Sequence, residues 1–237
     1  MTNTLLLREL EQRGIPLQDS WLLLVVNHLV HQRKYVRENI TAELVLPFFV
    51  ASDIRASTSS AGAAPYAISD QHNITLSKPL LVQVVRIREI GKSIVSQLEY
   101  LNQLEERKKL KGQQIIRQVD EDDQEDKEGD DSGIAEAQEA IFDGKGFKCM
   151  CRLVLEDANG QRFYGMEWKP IPGIQLDTDL GTKLIIQNAQ IKRGTLLLTS
   201  ENTKILGGKV DEWNHEYFPN KLMEELKEEL ETNKRKA

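Results

Sequence analysis

The sequence predicts an α+β protein in which a small N-terminal helical bundle precedes a small β-barrel, and a C-terminal helix follows. Apolar residues recur at three- and four-residue steps up to about residue 55, as on one face of a helix. From about residue 74 the chain shows short runs of alternating apolar and polar residues, which are typical of strands. A long charged insertion, about 92–147, interrupts these runs. The predicted parts are the bundle at 1–60, a linker at 61–73, the barrel at 74–212 and the helix at 213–237.

The helical bundle is predicted from three short apolar groups. They run from Leu6 to Leu10, from Trp21 to Leu29 and from Leu44 to Ile54, with a break at 14–16 that contains Gly and Pro. Helices of this length bury only a small core. After them, the small residues of 56–64 (ASTSSAGAA) indicate a flexible linker by composition.

The barrel is predicted from five alternating runs, at 80–90, 147–155, 161–168, 183–191 and 195–199. The alternation changes register near Val84 and Val85, which indicates a β-bulge or a buried stretch. Short strands without long helices between them indicate a small barrel, and five is the number of strands in an oligonucleotide/oligosaccharide-binding (OB) fold. Near the end of the chain, Leu222, Leu226 and Leu230 form one stripe of an amphipathic helix.

The insertion lies between the first two predicted barrel strands and has two halves. The first predicts a helix with one apolar face, because apolar residues recur at helical spacing at Ile94, Leu98, Leu101 and Leu104, with Tyr100 alongside. Basic residues follow at Arg107, Lys108, Lys109, Lys111 and Arg117. The second half, 119–131, holds nine acidic residues and one lysine, and is too charged to fold alone. Its net charge of −8, in a chain of net charge −6, leaves the rest near neutral at +2.

Several chemistries are disfavoured by the sequence. No apolar run approaches the roughly 18 residues of a membrane span, so no membrane association is expected. The segment 206–209 (LGGK) lacks the first glycine and the Ser or Thr of a phosphate loop, so a turn that ends the barrel is expected there. Cys149 and Cys151 have no histidines at a zinc-ligand spacing, and no catalytic set assembles. We therefore expect no cofactor, no metal and no enzymatic activity.

Direct binding of single-stranded DNA remains an alternative at this point. Phe163, Tyr164 and Trp168 are placed either to stack on bases or to pack in the core. Phe163 and Tyr164 are neighbours on a strand, so at most one of them faces the core. Candidate phosphate contacts are Arg86, Arg88, Lys92, Lys183, Lys192 and Arg193.

Four segments in order carry a family resemblance: YGMEWKPIP at 164–172, GTKLII at 181–186, LLLTSENTK at 196–204 and ILGGKV at 205–210. This series resembles the N-terminal OB region of the RecQ-mediated genome instability protein 1 family. The short length resembles the fungal form of that family.

The resemblance implies a non-catalytic subunit of a nuclear complex that contains a type IA topoisomerase (topoisomerase III) and a RecQ-family helicase. Such complexes dissolve double Holliday junctions into non-crossover products in homologous recombination and DNA repair. In the family, an insertion between the first two barrel strands, the decatenation loop, reaches the topoisomerase gate. The segment 92–147 holds that position here.

On this basis the two parts of the insertion receive separate roles. Ile94, Leu98, Tyr100, Leu101 and Leu104 are expected to bind the partner, as apolar anchors of a helix docked in a groove. Arg107, Lys108, Lys109, Lys111 and Arg117 are expected near DNA, single-stranded or in a Holliday junction, reached mainly through the complex. The acidic run is interpreted as an extended tether. A stand-alone single-strand-binding protein and a general adaptor are the alternatives.

Overall fold

The computed structural model describes residues 3–120, 150–217 and 220–236 of the chain. These belong to two compact units, one of 1–90 with 150–217 and one of 91–149 with 218–237. The helices are α1 Asn3–Gln12, α2 Asp19–His31, α3 Ala42–Val50, α4 Ile54–Ser57, α5 Ile94–Asp120, α6 Asp211–Tyr217 and α7 Asn220–Lys236. The strands are β1 Asn73–Thr75, β2 Leu80–Glu89, β3 Cys151–Glu156, β4 Arg162–Glu167, β5 Lys183–Ile186, β6 Gln190–Lys192, β7 Thr195–Leu198 and β8 Thr203–Gly207.

The first four helices form the predicted bundle, and its core continues into the barrel. Leu10, Leu22 and Phe49 are fully buried in one apolar cluster that also contains Leu81 of β2 and Ile185 of β5. A bundle of four short helices buries too little apolar surface to stand alone. The sheet therefore supplies part of the core of the helical bundle.

The sheet confirms the predicted OB-type barrel and shows how it closes. Its strand order is β1-β6-β7-β4-β3-β2-β5-β8. The predicted strand 183–191 is in fact two strands, β5 and β6, which pair with β2 and β7 respectively. Between them Asn188 adopts a left-handed conformation with φ 54°. β6 is the second strand of this order and β5 is the second from its other end. Because the chain passes directly from β5 to β6, it brings the two ends of the sheet together and curls the sheet into a barrel.

Two further predictions about the barrel are resolved by the pairing. The register of β2 against β3 shifts between Val84 and Arg86, which confirms the bulge. β1 and β8 are short edge strands that the alternation did not predict. Of the predicted strand 147–155, the part up to 149 lies outside the described residues, and β3 begins at Cys151.

The interpretation of 56–64 as a flexible linker was wrong. Ser59 N donates to Pro16 O at 2.8 Å, and Ala64 N donates to Asp157 Oδ2 at 2.9 Å. Gly62 packs so closely that a Cβ there would lie 2.9 Å from side-chain atoms of both Pro16 and Thr58. The small side chains of this segment allow its backbone to pack closely against its neighbours. A composition typical of a linker therefore belongs here to a tightly packed segment.

A polar seam joins the helical bundle to the barrel. Gln83 of β2 is fully buried, and its amide accepts from Ile54 N and donates to Asp53 Oδ1 and Glu156 Oε2. Lys183 of β5 is also fully buried, and its Nζ donates to Val50 O at 3.0 Å. We call the three bonds that join Gln83 and Lys183 to residues 50–54, together with the bond from Gln83 to Glu156 on β3, the seam.

The buried ammonium of the seam gives a prediction about pH. Burial lowers the pKa of Lys183 from 10.5 to about 8, and the nearby Asp53 opposes this only in part. Between these two pH values the unfolded chain holds a proton that the folded chain has released, so folding is favoured more as the pH rises. Relative to Lys183→Met, the wild type should gain about 1–2 kcal/mol of unfolding free energy between pH 7.5 and 10.

Urea unfolding of both proteins at the two pH values measures this gain. Other groups titrate alike in both proteins and cancel in the difference. A difference in unfolding free energy that does not change with pH would show that Lys183 stays charged in the folded protein.

The C-terminal part is two helices rather than one. α6 belongs to the first unit, where Asn214 Oδ1 accepts from Leu180 N and its Nδ2 donates to Leu180 O. α7 belongs to the second unit and packs against α5. Leu222 and Leu226 of the predicted stripe are buried and Leu230 is half-buried.

Candidate functional site

The insertion begins and ends at one end of the β2–β3 ladder. Ile90 N donates to Met150 O at 2.9 Å, directly beyond the last pair, Glu89 with Cys151. The buried carboxylate of Glu89 accepts from Met150 N, and the buried carboxylate of Glu167 accepts from Cys151 N. Charge-assisted bonds of this kind are stronger than neutral ones. The barrel therefore holds the two ends of the insertion side by side.

The first half of the insertion is the predicted helix, and it is longer than the apolar stripe. Ser93 Oγ accepts from Ser96 N at 3.2 Å, as an N-capping side chain does. α5 then continues for 27 residues through the basic segment to Asp120, a length of about 40 Å. The remainder of the acidic run lies outside the described residues.

The apolar face of α5 is largely covered within the second unit. Tyr100 and Leu101 are buried, while Ile94, Leu98 and Leu104 are partly exposed. α7 packs against this helix and buries Leu222, Met223 and Leu226 of its own. Tyr100 and Leu101 thus serve as core residues in the free chain. The partner-binding role assigned to the five residues of the stripe stays a prediction.

Two apolar side chains of α5 that sequence reasoning did not single out are exposed. Val95 is 48% exposed and Leu110 is 60% exposed. Leu110 lies within the basic cluster, which concealed it from a search for apolar periodicity. Beside Tyr100 and Leu101, which are buried on the same helix, these two side chains are available for contact with another molecule.

The basic cluster is only partly described at side-chain level. Lys109 is exposed and pairs with Glu105 at 3.3 Å, and Arg107 is half-buried. Lys108, Lys111 and Arg117 occupy positions on α5, and their side chains lie outside the described residues. Their placement near DNA stays a prediction.

The aromatic residues of β4 divide between the core and the surface. Phe163 is 3% exposed and Tyr164 is 45% exposed, which confirms that they face opposite sides. Trp168 is 60% exposed, so two of the three candidate stacking residues reach solvent. Arg152, which the sequence analysis did not single out, lies over the Tyr164 ring at 3.9 Å.

One candidate phosphate contact was wrong. Lys183 is fully buried in the seam, because a backbone carbonyl of the bundle faces β5 at this point. Lys192 and Arg193 are exposed on β6 and the turn that follows it, and Arg86 and Arg88 are half-buried on β2.

The remaining sequence motifs lie partly within the described residues. β8 ends at Gly207 and Gly208 follows with φ +85°, so the last barrel strand ends within 206–209 as expected, but Leu206 and Gly207 belong to the strand rather than to a turn. Cys151 is buried, and Cys149 lies outside the described residues. Within the described ranges, no group of three or more His, Cys, Asp or Glu side chains is arranged to hold a metal ion. No described helix combines the length and the apolar character that crossing a membrane requires.

Comparison with known proteins matches both parts of the chain to one family. The family model "RMI1, N-terminal helical domain" matches residues 10–57, and "RMI1, N-terminal OB-fold domain" matches residues 64–221. RecQ-mediated genome instability protein 1 of Schizosaccharomyces pombe is 52% identical over 231 residues, which are 98% of this chain and 98% of that protein. The protein of the same name from Arabidopsis thaliana is 36% identical over 67 residues, 28% of this chain and 10% of its own length. The one from Oryza sativa subsp. japonica is 44% identical over 52 residues, 22% and 6% respectively.

Proposed function

Because the chain belongs to the RecQ-mediated genome instability protein 1 family, we propose that it is a non-catalytic subunit that binds and regulates a type IA topoisomerase, topoisomerase III, together with a RecQ-family helicase. In this role it promotes decatenation and the dissolution of double Holliday junctions to non-crossover products during homologous recombination and DNA repair. Its place of action is the nucleus.

The observation that best supports this proposal is that a long helix is inserted between two adjacent strands of the barrel. The two residues that flank the insertion, Ile90 and Met150, are hydrogen-bonded to each other, and buried carboxylates accept from Met150 N and Cys151 N. It then supplies a helix of about 40 Å, far longer than closing a hairpin requires. An element of this length between two adjacent strands is expected to serve binding rather than chain connection alone.

The packing of α5 against α7 leaves only some side chains of α5 exposed to a partner. Tyr100 and Leu101 are buried on α5, which packs against α7, so they are not available to a partner in the free chain. Leu110 and the neighbouring Lys109 are exposed. They offer one apolar anchor and positive charge for an enzyme that holds DNA.

A variant without the second unit tests the proposal. Since Ile90 N and Met150 O are 2.9 Å apart, residues 91–149 can be replaced by a hairpin turn of about two to four residues, and the chain ended at 217. We expect this variant to fold, because the barrel and bundle keep their contacts. It should lose the stimulation of topoisomerase III in a double-Holliday-junction dissolution assay, by about tenfold or more.

Two outcomes separate the parts of this proposal. If the full chain neither co-purifies with topoisomerase III nor stimulates it, the proposed function is wrong. If the full chain stimulates the enzyme and the shortened variant does so equally, the barrel and not the insertion is responsible. A finer comparison is Leu110→Ser in α5 against Lys204→Ser at an exposed position of β8. Only Leu110→Ser should weaken the stimulation of topoisomerase III.

A further inference from the structure

Helix α3 carries two apolar stripes, and the described residues cover only one of them completely. Ala42, Val45 and Phe49 are fully buried in the core of the helical bundle. The second stripe, at steps of three and four residues, consists of Leu44, Pro47, Phe48 and the C-cap residue Ala51. Leu44 and Phe48 are half-buried against the core, and the other two are exposed. A helix that is apolar on nearly all sides is normally covered on all of them, so the second stripe is an open packing surface.

The second stripe forms one wall of a groove of about 420 Å³ on the helical bundle. The facing wall comes from the end of α2 and the turn after it, with Leu29, Arg33 and Tyr35. The lining residues that the structure describes all belong to the bundle, and none of them lies on a barrel strand or in the insertion. Residues spaced in this way along a helix form a ridge beside which the ridge of another helix packs. The groove therefore fits one further helix.

The two aromatic rings at the groove are held in place by the bundle itself. Tyr35 is 41% exposed, and its N donates to Leu29 O at 3.1 Å. Lys34, directly before it, has φ 57°, a conformation that is uncommon for residues other than glycine. The ring of Phe48 meets the ring of His28 edge to face, with their centroids 5.4 Å apart. Aromatic side chains that are already positioned lose little conformational freedom on binding, which makes them effective anchors of an interface.

The charges at the groove favour an acidic partner. The segment 32–37, which follows α2, contains no acidic residue, and its cations Arg33, Lys34 and Arg37 are exposed. No carboxylate of the described ranges pairs with any of these three cations. Glu43 also lines the groove, but Arg13 pairs with it at 3.1 Å and offsets its charge. The unpaired positive charge complements carboxylates on a partner and disfavours a basic one.

From these observations we propose that the groove binds an amphipathic helix of a partner protein, one whose polar positions are mainly acidic. The apolar side chains of this helix pack against Leu44, Phe48 and Leu29, and its carboxylates pair with Arg33 and Lys34. An extended proline-rich segment, the other ligand that aromatic grooves take, lacks the three- and four-residue steps that match the second stripe. The groove does not depend on the proposed role with a topoisomerase, because it contains no residue of the insertion or of the barrel.

Peptide display on the immobilised full chain tests the proposal. Each library member has about 16 residues, or 24 Å of helix. It carries Leu, Ile, Met or Phe at steps of three and four residues, and Ala, Gln, Glu, Asp, Lys or Arg elsewhere. Peptides that also bind Tyr35→Ala, which removes the exposed ring, are discarded. The retained peptides should carry more Glu and Asp than Lys and Arg.

Titration of a retained peptide, followed by fluorescence anisotropy, measures the effect of charge at the groove. Arg33→Glu should weaken binding by about fivefold or more, and should bind the same peptide with Lys in place of Glu better than the wild type does. Ala51→Glu, which places a carboxylate on the second stripe, should also weaken binding. Lys204→Glu makes the same charge change as Arg33→Glu on β8 and should not change the affinity. All three positions are exposed, so the melting temperatures should stay near that of the wild type.

Several results would overturn the proposal. These are the absence of any retained peptide, a retained set that is mainly basic, and equal affinities of Arg33→Glu and the wild type for the acidic peptide. Selection from a proline-rich library in place of the helical one would identify an extended ligand. A wild type that dimerises in analytical ultracentrifugation, with Ala51→Glu monomeric, would identify a second copy of this chain as the occupant. Either result contradicts a partner helix.

Discussion

Replacing Gly208 with alanine is expected to lower the unfolding free energy by about 3 kcal/mol or more. A Cβ at this position would lie 2.2 Å from Val50 O and 2.7 Å from Val50 C. This carbonyl ends α3 and accepts the bond from Lys183 Nζ, so it cannot move away without breaking the seam. The residue also has φ +85°, a conformation that disfavours any side chain. Both effects act against the folded state.

The neighbouring glycine provides the control for this prediction. Gly207 has a similar φ of +78°, but a Cβ there would meet nothing within 4 Å. Gly207→Ala should therefore cost only the left-handed strain, about 1 kcal/mol. Urea unfolding followed by circular dichroism measures the loss of unfolding free energy in each of the two variants. Equal losses would mean that the contact between Gly208 and α3 contributes nothing to stability.

Gln83→Leu should be the other strongly destabilising change, with an expected loss of about 2–4 kcal/mol. The side chains are similar in size, so the core stays filled. However, Ile54 N loses its acceptor, and Asp53 and Glu156 each lose the bond that the Gln83 amide donates. The two carboxylates keep their bonds to Arg55 and Arg162, so the main penalty falls on Ile54 N. Polar groups left unpaired in a buried site carry their full desolvation penalty.

The comparison for this variant is Gln190→Leu. Gln190 is exposed on β6, and its replacement should change stability by less than about 0.5 kcal/mol. Because Gln83 joins β2 to the start of α4, its loss should also leave the amide hydrogens of α3 and α4 less protected from exchange. Stability and exchange that match the wild type would show that the amide of Gln83 is not needed at the seam.

The parts of the fold that the sequence predicted are those that depend on local periodicity. The bundle, the alternating strands, the bulge after Val84 and the position of the insertion all follow from the spacing of apolar residues. The division of 183–191 into two strands does not, because it depends on which distant strands each half pairs with. Asn188, a residue type that tolerates the left-handed region, was the one local sign of it.

The side chains whose surroundings the sequence did not predict are those that pack against residues far away in the chain. Lys183 was grouped with surface cations because lysines are rarely buried, and the carbonyl of Val50 that faces it lies far away in sequence. The stripe on α5 was correctly predicted to be apolar, and its role in binding a partner stays a prediction, but its packing within this chain was not predicted. α7 carries a matching stripe at Leu222 and Leu226, and a comparison of the two would have predicted that the helices cover each other.

The bond between Ile90 and Met150 also bears on how the chain folds. β2 and β3 are adjacent in the barrel, but a loop of about 60 residues must close before they can pair, at an entropic cost of about 3–4 kcal/mol. Contacts of such long sequence separation slow folding. The central hairpin of the barrel is therefore expected to form late. Until it does, β2 presents an unpaired edge to other strands, so the insertion lengthens the period in which the nascent chain is prone to misassociation.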